Sequence, residues 1–132
     1  MNWKNIMDKK VSIILSTYNE ASIINETIKE IFSTIENVEI VLVDDNSSDG
    51  TLEKVNSINN KNLKVFSRQS RGLASAFLLG MINTDGDLIG WTDSNMPQLT
   101  HHFSEMIKKL DQYDVVLLSR YIEGGGDQRS KM

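Results

Sequence analysis

Val41-Leu42-Val43-Asp44-Asp45-Asn46-Ser47-Ser48-Asp49-Gly50-Thr51 is an apolar run that stops in two acids. A turn of Asn, Ser and Gly follows, and then a segment with helical character. A parallel strand buried on both faces reads as a continuous apolar run, and ligands of open α/β sheets lie beyond the carboxyl ends of such strands. The same event occurs twice more. Val11 to Leu15 runs into Ser16-Thr17-Tyr18-Asn19-Glu20, and Leu88 to Trp91 runs into Thr92-Asp93-Ser94-Asn95. Three strand ends loaded with polar groups point to one site at one edge of one sheet.

Working outward, the chain alternates. Strands are predicted at Val11–Leu15, Glu39–Val43, Leu63–Phe66, Leu88–Trp91 and Val115–Leu118. Between them the helical period appears. Ile24, Ile28, Ile31 and Ile35 form one apolar stripe of a helix from about Ser22 to Ile35. Thr51 to Ile58 is a short helix capped by Asp49 or a neighbouring Ser. Leu73, Phe77 and Met81 mark a third helix from Leu73 to Ile82. Leu99, Phe103, Met106, Ile107 and Leu110 mark a fourth, with Pro97 suited to its first turn. Strict alternation without hairpin signals predicts an α/β fold: an open, mostly parallel sheet of about five strands with helices on both faces. The length of 132 residues fits a single domain of about 100–150 residues.

Composition narrows the function classes. A net charge of −4 argues against a nucleic-acid partner, which wants a basic face. With no cysteine, there is neither a disulfide framework nor a thiolate metal site. No stretch approaches the ~18–20 apolar residues of a membrane span, and the N-terminus lacks a signal-peptide h-region. A cytoplasmic domain is the expectation. Contact with a membrane surface is left open.

Motifs narrow them further. The residues after the first strand contain no glycine, so the Gly-x-Gly-x-x-Gly of dinucleotide folds is absent, and no P-loop occurs anywhere. A phospho-receiver domain would carry its acid pair after the first strand, whereas here it follows the second. Asp45-x-Ser47-x-Asp49-Gly50 matches half of a calcium loop, but the flank before it reads as strand and its twelfth position is Asn56.

Five blocks in order carry a resemblance: Val11–Glu20, Glu39–Thr51, Arg68–Ala76, Gly86–Ile89 and Ser119–Gly126. Together they resemble the N-terminal part of an inverting family 2 glycosyltransferase with a GT-A fold. The branch most similar is that of the dolichol-phosphate mannose synthase-like, polyprenyl-phosphate sugar transferases. The resemblance implies a nucleotide-diphospho-sugar donor and a polyprenyl phosphate, or another glycan or lipid, as acceptor. It implies that Thr17, Tyr18, Glu20 and Asp45 hold the nucleoside, and that Ser94 lies with them against the donor. Asp45 has a turn or cap role as its alternative, and Asp44 is expected to bond backbone amides in the turn. Arg68 and Arg71 would neutralise phosphates, a solvated pair at a helix start being the equal alternative. Asp93-Ser94-Asn95 occupies the place of the family's Asp-x-Asp motif. Asp93 and Asn95 would hold magnesium or manganese, which acts as a Lewis acid on the leaving diphosphate. Asn95 departs from the pattern, because the family has a second acid there. Asn95 as a helix N-cap is the alternative role. Asp93 and Arg120 are the candidate catalytic residues, Arg120 through bidentate phosphate binding. His101 and His102 read as surface residues.

Two expectations concern the whole chain. The resemblance makes residues 1–132 a donor-binding unit that stops before the acceptor-binding part. A homodimer would then form through Val115–Leu118 and the fourth helix, where an uncovered strand edge recruits a partner. The alternative function is a non-catalytic nucleotide-binding or interaction domain on the same fold.

Overall fold

The computed structural model describes residues 5–119 and 121–126. A 3-10 turn at Ile6–Asp8 leads into β1 (Val11–Thr17). Then follow α1 (Ile24–Thr34), β2 (Val38–Asp44), α2 (Thr51–Asn56), β3 (Leu63–Ser67), α3 (Leu73–Met81) and β4 (Leu88–Asp93). A 3-10 segment at Pro97–His102 continues into α4 (Phe103–Lys109). The four strands pair in the order β3-β2-β1-β4, all parallel.

Register builds the site edge. β1 pairs from Val11↔Val38 to Thr17↔Asp44, β2 and β3 end together at Asp44↔Ser67, and Ser16 lies opposite Asp93. The strands therefore stop in one row, and their polar endings sit side by side.

Each sheet face has its own cover. Ile13 and Leu15 of β1, Ile40 and Leu42 of β2, and the Ile24–Ile28–Ile31 stripe of α1 form one core with Val55, Phe103 and Ile107. On the other face α3 lies against β1 and β2. Gly80 makes that approach possible: a Cβ there would stand 2.5 Å from Ile14 Cγ2.

The amino end of the sheet carries a buried polar network. Ser12 Oγ donates to Glu39 Oε1 at 2.6 Å, and the Asp85 amide donates to the same oxygen at 2.5 Å. Lys64 Nζ lies 3.0 Å from Glu39 Oε2 and 2.7 Å from Asp85, and Lys10 Nζ is 3.7 Å from Glu39. Together with Gly86 N donating to Ser12 Oγ, this pins the turn before β4.

The predicted fifth strand does not form: Val115–Leu118 has no strand pairing, and Leu117 is 82% exposed. A strand exists only as part of a ladder, and among the described residues none pairs with this segment. Among the described residues the sheet thus has four strands, with β4 at one edge. The fourth predicted helix is split as well. Thr100 donates to the Pro97 carbonyl at 2.8 Å and is buried, and the first turns there are 3-10.

Candidate active site

The site grows from two loops that are laced together. After β1 the chain turns through Asn19 at φ 53°, and after β2 through Asn46 at φ 63° and Gly50 at φ 94°. Asn and Gly tolerate this left-handed region best. The Asn19 amide donates to Ser47 Oγ, Ser48 N to Asn19 Oδ1, Glu20 N to Thr51 Oγ1, and Ala21 N to Asp49 Oδ2, all within 2.8–3.0 Å. Buried Asp44 closes the turn, accepting from Ser47 N and Ser47 Oγ. Asp49 accepts from the Thr51 amide and hydroxyl at the start of α2. The Thr51 hydroxyl lowers the Asp49 pKa by more than burial raises it, with the Ala21 amide assisting. These commitments explain why Asp45, Ser47 and Asp49 do not form a calcium loop: each side chain already has protein partners.

Asp45 is held from the far side. Arg68 Nε and Nη2 donate to its two oxygens at 2.5 and 3.0 Å, and the Gly72 amide adds a bond at 3.2 Å. The same guanidinium donates to Ser75 Oγ and to the Gly72 carbonyl. Asp45 beside it raises the Arg68 pKa, against a smaller opposing effect of burial. Such a bidentate fork fixes orientation as well as charge. Arg68 therefore stands behind Asp45, while Arg71 reaches the open side, its guanidinium 3.8 Å from the Tyr18 ring centre. That spacing is a cation–π contact.

The β4 end is anchored through α1. Thr27 Oγ1 donates to the Ser94 carbonyl at 2.6 Å in the buried interior. This fixes the Asp93-Ser94-Asn95 turn next to the loop after β1.

A cleft of about 530 Å³ opens between these loops. Thr17, Tyr18, Glu20, Asp45, Arg71, Asp93, Ser94 and Asn95 all line it, with Ser16, Gly72 and Leu73. Eight residues singled out from sequence thus meet on one surface. Arg68 supports it without lining it, and Arg120 lies outside the described residues. Thr27, Gly72 and Leu73 were not identified as site residues from sequence. A threonine on the apolar stripe of α1 was the only signal for Thr27.

Two groups in the cleft call for a ligand. The Thr17 hydroxyl is buried and has no hydrogen-bond partner among the described residues. Buried polar atoms are otherwise almost always paired. Burial raises the Glu20 pKa; the Asn95 side chain opposes this, and the Asp49 and Asp93 carboxylates add to the rise. The donor set at this wall is all oxygen: Asp93 and Glu20 carboxylates and the Asn95 amide. That chemistry fits a hard divalent cation such as magnesium or manganese. Among the described residues no group of three His, Cys, Asp or Glu forms a self-sufficient metal site. A cation here would complete its shell with ligand oxygens.

Comparison with known proteins identifies the family. The profile described as Glycosyl transferase family 2 matches residues 12–132. A dolichol-phosphate mannosyltransferase of Pyrococcus furiosus is 37% identical over 129 aligned positions, covering 88% of this chain and 34% of the relative. An uncharacterized glycosyltransferase of Rickettsia conorii is 31% identical, covering 89% and 20%. The chain therefore spans about a third or less of the length of these relatives. Among solved structures, a Pyrobaculum calidifontis mannosyltransferase in complex with GDP-Man and Mn2+ superposes with a TM-score of 0.65 at 26% identity. The match covers 77% of this chain and 32% of that one. S. aureus TarS in complex with UDP gives a TM-score of 0.65 at 26% identity, over 80% and 33%.

Proposed function

Since the chain belongs to glycosyl transferase family 2, we propose that it binds a nucleotide-diphospho-sugar in the cleft and serves transfer of the sugar to a polyprenyl phosphate or another glycan or lipid acceptor. Residues 1–132 act as the donor-binding unit. The observation that carries this reading is the meeting of eight candidate site residues beyond the carboxyl ends of the four strands. The relatives named above include one protein solved with GDP-Man and Mn2+ and one with UDP.

Each side chain has a task. Asp45, locked by Arg68, keeps a remaining lone pair for a base N–H group or a ribose hydroxyl. Thr17 offers its unpaired hydroxyl to the same nucleoside. Tyr18 presents an aromatic face, and Arg71 leaves it to meet the diphosphate charge. Asp93 and Asn95 would hold the divalent cation. When bound, that ion supplies Lewis-acid stabilisation of the departing diphosphate. Arg120 is assigned to phosphate binding. In an inverting transfer the bond from the anomeric carbon to the diphosphate oxygen breaks as a bond to the acceptor oxygen forms. A phosphate acceptor brings an oxygen that is already anionic, so this cleft needs no side chain to remove a proton from it.

No described helix is long and apolar enough to cross a membrane. Reaching a polyprenyl phosphate would then place the protein at a membrane surface. The non-catalytic alternative is not favoured by the family membership. Calorimetric titration with GDP, UDP, GDP-mannose and UDP-glucose, with and without manganese, tests the donor reading. Binding of at least one nucleotide, strengthened by manganese, is expected. Heats of dilution alone for all four would remove it.

A further inference from the structure

α1 is bonded to two of the cleft loops. Its first turn grows straight out of the loop after β1: the Glu20 carbonyl accepts from Ile23 N at 3.1 Å and from Ile24 N at 2.9 Å. One turn further on, Thr27 Oγ1 donates to the Ser94 carbonyl at 2.6 Å, inside the turn after β4. Thr27 is fully buried, and Ser94 is buried with it.

The hydroxyl had another acceptor. A threonine inside a helix can bond back to the carbonyl four residues earlier, and here that is Ile23 O at 3.4 Å. A hydroxyl has one proton to donate. At 2.6 Å against 3.4 Å, that proton belongs to Ser94 O and not to its own helix. The other buried residues of α1 are Ile24, Ile28 and Ile31, so packing alone would be served by one more apolar side chain. Asp93, Ser94 and Asn95 line the cleft and Thr27 does not, so Thr27 can act on a ligand only through the turn it holds.

We propose that Thr27 is a positioning residue for donor binding. Its hydroxyl fixes the Asp93-Ser94-Asn95 turn relative to the loop after β1. One donor molecule can then meet both, with its nucleoside at the loop and its cation-bridged diphosphate at the turn. The inference rests on the donor reading above. A buried carbonyl that loses its donor is costly to leave unpaired, so without the hydroxyl the turn moves to find another partner. Binding constellations tolerate only about 0.5 Å of such drift.

The test separates the hydroxyl from the packing. Affinity for GDP and for UDP is measured in manganese and in EDTA, beside urea unfolding, for Thr27→Val and Thr27→Ser. Valine keeps the shape and removes the proton; serine keeps the hydroxyl and removes the methyl. Thr27→Val is expected to weaken affinity in manganese on the order of tenfold and to leave affinity in EDTA unchanged. Thr27→Ser is expected to keep the affinity in manganese while losing stability. If Thr27→Val does not fold, Thr27→Ala beside Thr27→Ser carries the same comparison, since the two differ in the hydroxyl alone. Unchanged affinity in manganese without the hydroxyl overturns the proposal and leaves Thr27 a core residue. So does a loss in Thr27→Ser as large as in the variant without the hydroxyl, which would make packing the cause. An equal loss in EDTA overturns it too, as does nucleotide binding by the unmodified protein that manganese does not alter. In all of these cases nucleotide still binds the unmodified protein and the donor reading stands. Absence of nucleotide binding to the unmodified protein sinks the donor reading itself, and this inference with it.

Discussion

Glu39 shows what a single residue decides at the end of the sheet remote from the cleft. It is 2% exposed and meets the Ser12 hydroxyl, the Asp85 amide and two lysines. Burial alone would raise its pKa. The Asp85 amide, the Ser12 hydroxyl and the Lys64 ammonium outweigh it, with Lys10 adding, and hold the carboxyl at about 2 against its ordinary 4.5. The folded value lies below the unfolded one, so the stabilisation is present above pH 4.5 and is lost as pH falls toward 2. It amounts to about 3 kcal/mol at neutral pH. Urea unfolding followed as a function of pH should show stability falling through this window. Glu39→Gln should flatten that fall and lower neutral-pH stability by about 3 kcal/mol. An unaltered pH slope in the variant would refute the assignment. At the cleft end Arg68 does comparable work for Asp45, fixing a carboxylate that would otherwise rotate.

At the scale of elements, α3 is the least obvious packing unit. It is apolar nearly all round, yet buries only Ala76 and Gly80. Its seat on β1 depends on glycine at 80, where an added methyl meets Ile14. Gly80→Ala should push α3 off the sheet and cost about 1–3 kcal/mol, the range for overpacking, even though alanine is the better helix former. Thermal unfolding of the variant measures this, and a raised midpoint would contradict it. Because Gly72, Leu73 and Ser75 ride on the same element, the variant should also loosen the Arg68–Asp45 clasp. α2 is different. It is six residues long and is held by Asp49 at its start and by Val55 in the core.

Over the whole molecule, apolar surface is distributed unevenly. The core between α1, α4 and the sheet is closed. The opposite side leaves Ile82 78% exposed just after α3 and Trp91 42% exposed on β4, and Val115, Leu117 and Leu118 are exposed as well. β4 is also a sheet edge. Uncovered edges and apolar patches draw partners. We expect the protein, as this chain, to self-associate, most simply as a two-fold dimer through the β4 edge and Val115–Leu118. Light scattering should give a mass above the monomer that rises with concentration, and Leu117→Asp should lower it. A constant monomer mass over an about tenfold concentration range would sink the expectation.

The sequence by itself determined the order of elements, the parallel sheet and the edge at which the site lies. These follow from local properties: apolar runs too short for helices, an isoleucine stripe at helical spacing, and acids placed where each run stops. It also named eight residues of the cleft, since side chains at parallel strand ends have few other places to go. Tertiary structure alone decided their pairings. Arg68 lies 23 positions from Asp45, and Thr27 lies 67 from Ser94. Whether such groups meet depends on strand register and side-chain reach, which no local pattern encodes. The same holds for Val115–Leu118. Its residues favour a strand, but a strand needs a neighbour to bond with, and among the described residues that neighbour is absent.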